Sequence, residues 1–353
     1  MEHAFGRSSR WSVGLEEELF VVDAATLAPR AADPLLADER TKPELYRAVL
    51  ETVTGVCASA AEAAEAALAA RRDLARRAAD DGLALLAAST HPLASLTGNE
   101  LTDAPRYREM ADRLGPAAAV QFACGLHVHV GVDSPEACWT ALEGVLPWLP
   151  VWLAASASSP YAEGRETGLA STRADLLGRM PRSGCPPAFG SYAAWAAWAE
   201  RLRRLGVLAD PTRLWWDARP HPAHGTLELR IPDQPTDPAL VGAFAALGQA
   251  LVASATAGPP ADRGVYAENR WAALRFGGAA RLVHPAGDRL ASVPELLDEL
   301  VERVLPTARA LGSDALLEPL AALGRRTQAA RQLATGRAHG VEAAARKLLL
   351  PGI

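Results

Sequence analysis

Three short segments of this chain alternate hydrophobic and polar positions, and longer stretches between them follow a helical period. The alternating segments read Gly14-Leu15-Glu16-Glu17-Glu18, Gln121-Phe122-Ala123-Cys124-Gly125-Leu126-His127-Val128-His129-Val130-Gly131 and Thr226-Leu227-Glu228-Leu229-Arg230-Ile231. Successive side chains of a strand point to opposite faces. Glu16 with Glu18, Gln121 with His127 and His129, and Glu228 with Arg230 therefore share a face. A sheet that gathers carboxylates, imidazoles and a guanidinium on one side offers a surface for cations and anions.

Around these segments the pattern predicts a first strand over about 12–23, a Pro-containing loop over 31–43, and a helix from Glu44 to about Thr52. An Ala-rich helix over 59–80, stopped by Gly82, comes next. The apolar run 83–88 reads as a buried strand ending at Ser89-Thr90-His91-Pro92. Helices follow over about 105–114, over 137–157 with Pro interruptions, over 191–205 and over 238–254. From Pro294 onward the chain reads as helical, with Gly312, Gly324, Gly336 and Gly340 marking ends. Segment 158–187 is rich in Gly, Ser and Pro, and a loop of that length inside a compact domain is usually functional or disordered. Nothing in the middle resembles a linker. The order of elements predicts an α+β fold with an antiparallel sheet, one domain over 1–353 with a helical portion from about 290.

Composition narrows the class without changing that picture. A chain of 353 residues, 49% hydrophobic and 22% charged, is ordinary for a soluble globular protein. The net charge of -5 argues against a nucleic-acid partner, which would call for a basic surplus. Arg71, Arg72, Arg76 and Arg77 are interspersed with Ala and followed by Asp80 and Asp81, the pattern of a solvated helix face. The longest apolar stretch, 145–157, contains Pro147 and Pro150 and falls short of the about 20 residues a bilayer span takes. The opening residues lack the apolar core of a signal peptide, so a cytoplasmic protein with no membrane partner is expected. Cys57, Cys124, Cys138 and Cys185 form no CxxC pair, which favours reduced thiols over disulfides or zinc.

The polar faces carry the candidate chemistry. Glu16 and Glu18 stand ~7 Å apart along one strand face, a spacing suited to neighbouring hard cations; a solvent-facing strand edge would carry the same acids. Glu17 falls among Leu15, Leu19 and Val21 and requires a sheet margin or a partner. On the second segment the small residues Ala123, Gly125 and Gly131 leave room for a ligand, and His127-x-His129 suits metal or phosphate contact. Glu228 and Arg230 by themselves equally describe a surface ion pair worth ~0 to 1 kcal/mol. Glu44 and Glu51, seven residues apart, would lie two helical turns apart on one stripe. Arg165, Arg173 and Arg179, among the hydroxyls of 158–172, suit guanidinium forks for carboxylate or phosphate, and suit an ordinary surface loop as well. Neither a P-loop nor a Rossmann glycine fingerprint is present.

Taken in order, GLEEELFVVD at 14–23, the 44–51 segment, STHP at 89–92, CGLHVHVGV at 124–132, ASASSP with TGLASTR, WWDARP at 215–220, GTLELRIPD at 225–233 and ENRWAALRFG at 268–277 resemble the glutamate-cysteine ligase type 2 family, in its carboxylate-amine ligase branch. The likeness runs from about residue 11 to the C-terminal helices. It implies a glutamine-synthetase-like fold, a curved antiparallel sheet holding ATP and Mg2+ on its concave face. It also implies an ATP-dependent ligase that converts a carboxylate to an acyl phosphate and then to an amide, γ-glutamylcysteine being one such product. By similarity, Glu16, Glu18, Glu51 and Glu228 are the principal metal carboxylates, with Glu44, Gln121 and His127 supporting and His129 beside them. Arg230 and Arg173 would contact phosphate or substrate carboxylate, and Asn269 and Arg270 the far end of the cleft. Small carboxylic-acid and amine substrates and a homo-oligomer such as a dimer complete the expectation.

Two other functions compete. A metal-dependent amidohydrolase built on His127 and His129 would need βα repetition and further ligating residues on later strands, whereas His221, His224 and His284 sit in Pro/Gly-rich segments. A non-catalytic ATP-binding homologue is disfavoured by the intact carboxylates.

Overall fold

The structure, a computed structural model, describes residues 2–36, 39–324 and 326–351. In chain order its first half runs β1 (Val13–Asp23), β2 (Thr41–Pro43), β3 (Val49–Val53), α1 (Ala60–Asp80), β4 (Leu83–Leu86), α2 (Pro105–Leu114), α3 (Pro116–Ala119), β5 (Leu126–Gly131), α4 (Pro135–Val145) and α5 (Leu149–Ser156). The remainder runs β6 (Tyr161–Ala162), β7 (Arg165–Glu166), α6 (Thr172–Gly178), β8 (Ser183–Gly184), α7 (Tyr192–Arg204), β9 (Trp215–Trp216), β10 (Ala218–His221), β11 (Thr226–Leu229), α8 (Pro238–Ala253) and α9 (Arg263–Phe276), followed by a hairpin and further helices.

The three alternating segments meet in one seven-stranded sheet ordered β10-β11-β5-β1-β3-β2, in which β4 extends along β1 beyond β5. Its pairings are antiparallel throughout. The expected α+β class with an antiparallel sheet is therefore observed, and the βα repetition of an amidohydrolase barrel is not seen among the described residues. No helix among them is long and apolar enough to cross a membrane.

Alternation decides which face is covered. Val13 and Leu15 of β1, Leu126, Val128 and Val130 of β5, and Leu227 and Leu229 of β11 all turn to one side, into a buried cluster with α8. Each such burial contributes about 1.5–3 kcal/mol. Helix α8 is buried from Leu240 to Val252, as a helix apolar all round must be. At Gly248 it approaches so closely that a Cβ would stand 2.9 Å from Val128 Cγ1. The opposite side of the same strands carries Glu16, Glu18, His127, His129 and Glu228, so helical packing on one face leaves the polar set on the other.

The Ala-rich helix forms as expected, with Ser59 as its N-cap accepting from Glu62 N–H. Arg72 and Arg76 are exposed as expected, but Arg71 departs from the solvated pattern. Arg71 is 4% exposed and donates to Glu17 Oε1 at 2.6 Å through Nη2 and to the carbonyls of Pro235 and Thr236. Glu17, the acid on the apolar side of β1, thus has its partner, and Gln234 adds a bond at 2.8 Å.

Four other expectations are corrected. The predicted 44–52 helix is a loop leading into β3, because Val49, Thr52 and Val53 are β-branched and the segment completes the hydrogen bonding of β1 from Glu16 to Phe20. Residues 121–125 precede β5 rather than belonging to it; only 126–131 form the strand. The segment 158–187 is no open loop but contains the β6–β7 hairpin, α6 and β8. Gly336 lies inside the helix Gln328–His339, where a Cβ would meet the Tyr161 hydroxyl oxygen at 2.2 Å, so its glycine serves packing rather than a helix end.

Candidate active site

Antiparallel register places the polar side chains in rows. Glu16 pairs with His127 across β1 and β5, Glu228 with His129 across β11 and β5, and Glu18 with Glu51 across β1 and β3. Paired residues share a face, so one acidic band crosses the sheet. Glu44 reaches the same band from the loop before β3. That loop is held by the Tyr107 hydroxyl, which donates to Pro43 O at 2.7 Å, and by the Thr102 hydroxyl, which donates to Glu44 O.

Three overlapping groups of ligating atoms result: Glu18, Glu44 and Glu51; Glu16, Glu51 and His127; and Glu16, His129 and Glu228, each with its atoms within 4.8 Å of one another. Gly125 N–H donates to Glu18 Oε2 at 2.6 Å. His127 Nδ1 lies 3.2 Å from Glu16 Oε2, and His129 Nε2 lies 3.5 Å from Glu16 Oε1. His129 Nδ1 meets the Thr226 hydroxyl at 3.0 Å. Among the described residues the buried Nε2 atoms of His127 and His129 make no hydrogen bond, His129 Nε2 standing at ion-pair distance from Glu16.

Electrostatics divides the band into two ends. Glu228 is fully buried and gripped by Arg219, whose Nε and Nη2 stand 2.6 and 3.1 Å from its two oxygens, while Arg230 adds a further bond. Burial opposes its ionisation, but Arg219 and Arg230 outweigh burial and hold the carboxyl well below the usual range. Burial likewise opposes ionisation of Glu16, and His129 and His127 prevail there, lowering it. At the other end nothing of the kind prevails. Burial and the charge of Glu18 push Glu44 up to about 7, and burial with the charges of Glu16 and Glu44 raises Glu51 well above its ordinary value. Lys42 Nζ lies 3.3 Å from Glu51 Oε1.

This donor set fits a hard divalent cation. Carboxylate oxygens dominate it, several of them lack compensation, and the two orphaned imidazole nitrogens border it. Glu16, Glu18, Glu44, Glu51, His127, His129 and Glu228 are the described residues whose atoms are grouped so that they could hold such ions.

Other expected site residues are placed differently. Gln121 lies outside the strand, its Nε2 donating to the carbonyls of Ala117 and Leu176 while Oε1 has no partner. Arg173 spends its guanidinium on the carbonyls of Arg230, Ile231 and Pro232 and packs where a Cβ on Gly125 would stand, so it shapes the turn after β11. Asn269 is bonded through both amide atoms to the backbone of Val283. Arg270 is paired with Asp217 at 2.7 Å and donates to Ala174 O. These contacts make the last two structural in this state. Three residues with no part in the sequence reading of the site join it: Arg219 against Glu228, Lys42 against Glu51, and His224, whose ring lies 5.6 Å from that of His129.

Comparison with known proteins matches residues 12–346 to the Glutamate-cysteine ligase family 2 (GCS2). A Rubrobacter xylanophilus protein provisionally named glutamate–cysteine ligase 2-3 is 41% identical over 333 residues, 92% of either chain. The glutamate–cysteine ligase of Haloquadratum walsbyi is 35% identical over 332 residues, 89% of either chain. Among solved structures, a glutamate–cysteine ligase of Francisella tularensis in complex with AMP shares the fold at a TM-score of 0.71 and 14% identity, over 97% of this chain and 88% of that one. A bifunctional glutathione synthetase of Pasteurella multocida has a TM-score of 0.69 at 14% identity, over 96% of this chain and 52% of that one.

Proposed function

Because the chain belongs to the glutamate-cysteine ligase family 2, we propose that it is an ATP-dependent carboxylate-amine ligase whose active site is the acidic sheet face, with Mg2+ as its cation. The observation that carries this reading is the run of three overlapping donor groups ending at the paired guanidinium groups of Arg219 and Arg230. Glu16, Glu18, Glu44 and Glu51 would hold divalent cations, whose positive charge would offset that of the ATP phosphates.

In the first step a substrate carboxylate oxygen attacks the γ-phosphorus of ATP, and ADP leaves. Glu228 is one negative charge between two guanidinium groups, so a positive surplus remains beside it. Arg219 is immobilised by the carbonyls of Thr212 and Leu214 as well, which leaves Arg230 to offset charge developing on the transferred phosphoryl group. In the second step an amine attacks the acyl carbonyl, phosphate leaves, and the amine gives up a proton, yielding the amide. L-Glutamate and L-cysteine, giving γ-glutamylcysteine, are the substrate pair the relatives' names point to. The reading treats the chain as one catalytic domain acting as a homo-oligomer such as a dimer.

The test is a panel of acids and amines in which ADP, phosphate and amide are quantified together. The proposal expects equal amounts of the three, formed only with a divalent cation and with both substrates present. Amide hydrolysis in the absence of ATP would refute it.

A further inference from the structure

Lys42 occupies an unusual place beside the acidic band. It is ion-paired with the Glu18, Glu44 and Glu51 group, its ammonium 3.3 Å from Glu51, while the charges of Arg106 and Arg230 also bear on Glu44. It stands opposite Glu51 in the register of β2 and β3. Strand β2 is three residues long and lies at the sheet's edge, and the Lys42 side chain is half exposed. The same side chain lines a cavity of about 200 Å3 that opens beside the band. Glu16, Val53, Val56, His129 and His224 line it too, and Val56 is 76% exposed.

A lysine is a mobile point charge on a flexible stem, and a cation held by Glu51 would repel an ammonium at that distance. The cavity it already lines gives the displaced side chain a near destination. We propose that Lys42 is an exchange counter-ion: it neutralises Glu51 in the free protein, and cation binding turns its ammonium into the adjoining cavity to receive the carboxylate of a substrate. The inference rests on the cation-binding reading of the acidic band and adds an order to it, cation before anionic substrate. Linkage requires the effect to be reciprocal, each ligand tightening the other by the same factor.

Calorimetric titration of the full chain tests this without turnover, using Mn2+ alone, then L-2-aminobutyrate or its decarboxylated counterpart propylamine, each with and without Mn2+. In the unaltered protein Mn2+ should tighten aminobutyrate about fivefold or more and leave propylamine unchanged. Lys42→Met, at a half-exposed edge position, should bind Mn2+ about three- to tenfold more tightly, because the competing charge is gone, and should lose the gain for aminobutyrate. Lys42→Arg should retain both behaviours. A Lys42→Met protein with unchanged Mn2+ affinity, or one that keeps the aminobutyrate gain, overturns the exchange while leaving the cation site standing. Failure of the unaltered protein to bind Mn2+ at all removes the cation site itself and the exchange with it.

Discussion

Glu18 of β1 and Glu51 of β3 are register partners that stand side by side on one sheet face, with Glu51 8% exposed. Like charges directly opposite each other on a sheet are destabilising, so a proton, the Lys42 ammonium beside Glu51 or a bound cation relieves the pair. That relief links stability to function.

The first consequence concerns pH. Glu44, pushed up to about 7, and Glu51, raised by burial and by its acidic neighbours, bind protons more tightly folded than unfolded. Their contribution to stability is fully present below the ordinary carboxylate value of 4.5 and is lost as pH rises through about 7. Mg2+ should therefore raise the melting temperature at pH 7.5 and hardly change it at pH 5; the comparison is made at fixed pH because burial holds His91, His127, His221 and His224 low, and they titrate in the opposite sense over the same range. Glu228, held low by Arg219 and Arg230, acts in the opposite sense and at lower pH, so it leaves this window clear. Scanning fluorimetry across pH, with and without Mg2+, reads the effect; an Mg2+-induced rise in melting temperature as large at pH 5 as at pH 7.5 contradicts it.

Glu51→Gln should separate stability from activity. Removing one of two opposed acids relieves about 1 kcal/mol or less of repulsion, so the cation-free variant should melt at or above the temperature of the parent at pH 7.5. The same change deletes a cation ligand, and amide formation should fall about 100-fold or more. Loss of stability together with loss of activity would instead mark Glu51 as an ordinary structural residue.

The buried Glu17–Arg71 pair behaves differently, because both charges lie on the helix-covered face. Arg71→Met strands a carboxylate that is 1% exposed and should cost about 3–5 kcal/mol in denaturant titration. The double change Glu17→Met with Arg71→Met should recover a large part of that loss, since replacing a buried pair by apolar groups is often near neutral.

Arg230 and Arg173 should part company. Arg230→Ala is expected to lower kcat about 100- to 1000-fold with a smaller loss of melting temperature than Arg173→Ala, because Arg219 still pairs with Glu228. Arg173→Ala removes three hydrogen bonds to the turn after β11 and is expected to lower the melting temperature first. Comparable stability losses in the two variants would contradict this division.

Much of the site was legible because strand alternation is a local signal. Glu16, Glu18, His127, His129 and Glu228 were assigned to one face each from their own segments, and register alone brought the faces together. Glu51 reads as helical because the 44–52 segment has helical spacing of its acids, while its strand forms by pairing with β1, more than 30 residues earlier in the chain, and with the short edge strand β2. Arg219 escaped notice because β10 contains Pro220 and shows no alternation. The tight turn at 222–225, which folds Arg219 back to within hydrogen-bonding distance of Glu228, was the signal that could have revealed it. Arg173, Asn269 and Arg270 belong to recognisable motifs, yet their partners are backbone carbonyls and a buried Asp217, which no spacing announces.

The central claim is that this face transfers the γ-phosphoryl group of ATP to a carboxylate, and isotope transfer tests it most directly. With the acid and amine pair that turns over, the acid's carboxylate labelled with 18O, each amide formed should deliver one 18O atom to the released phosphate. Amide formation with unlabelled phosphate would contradict the account.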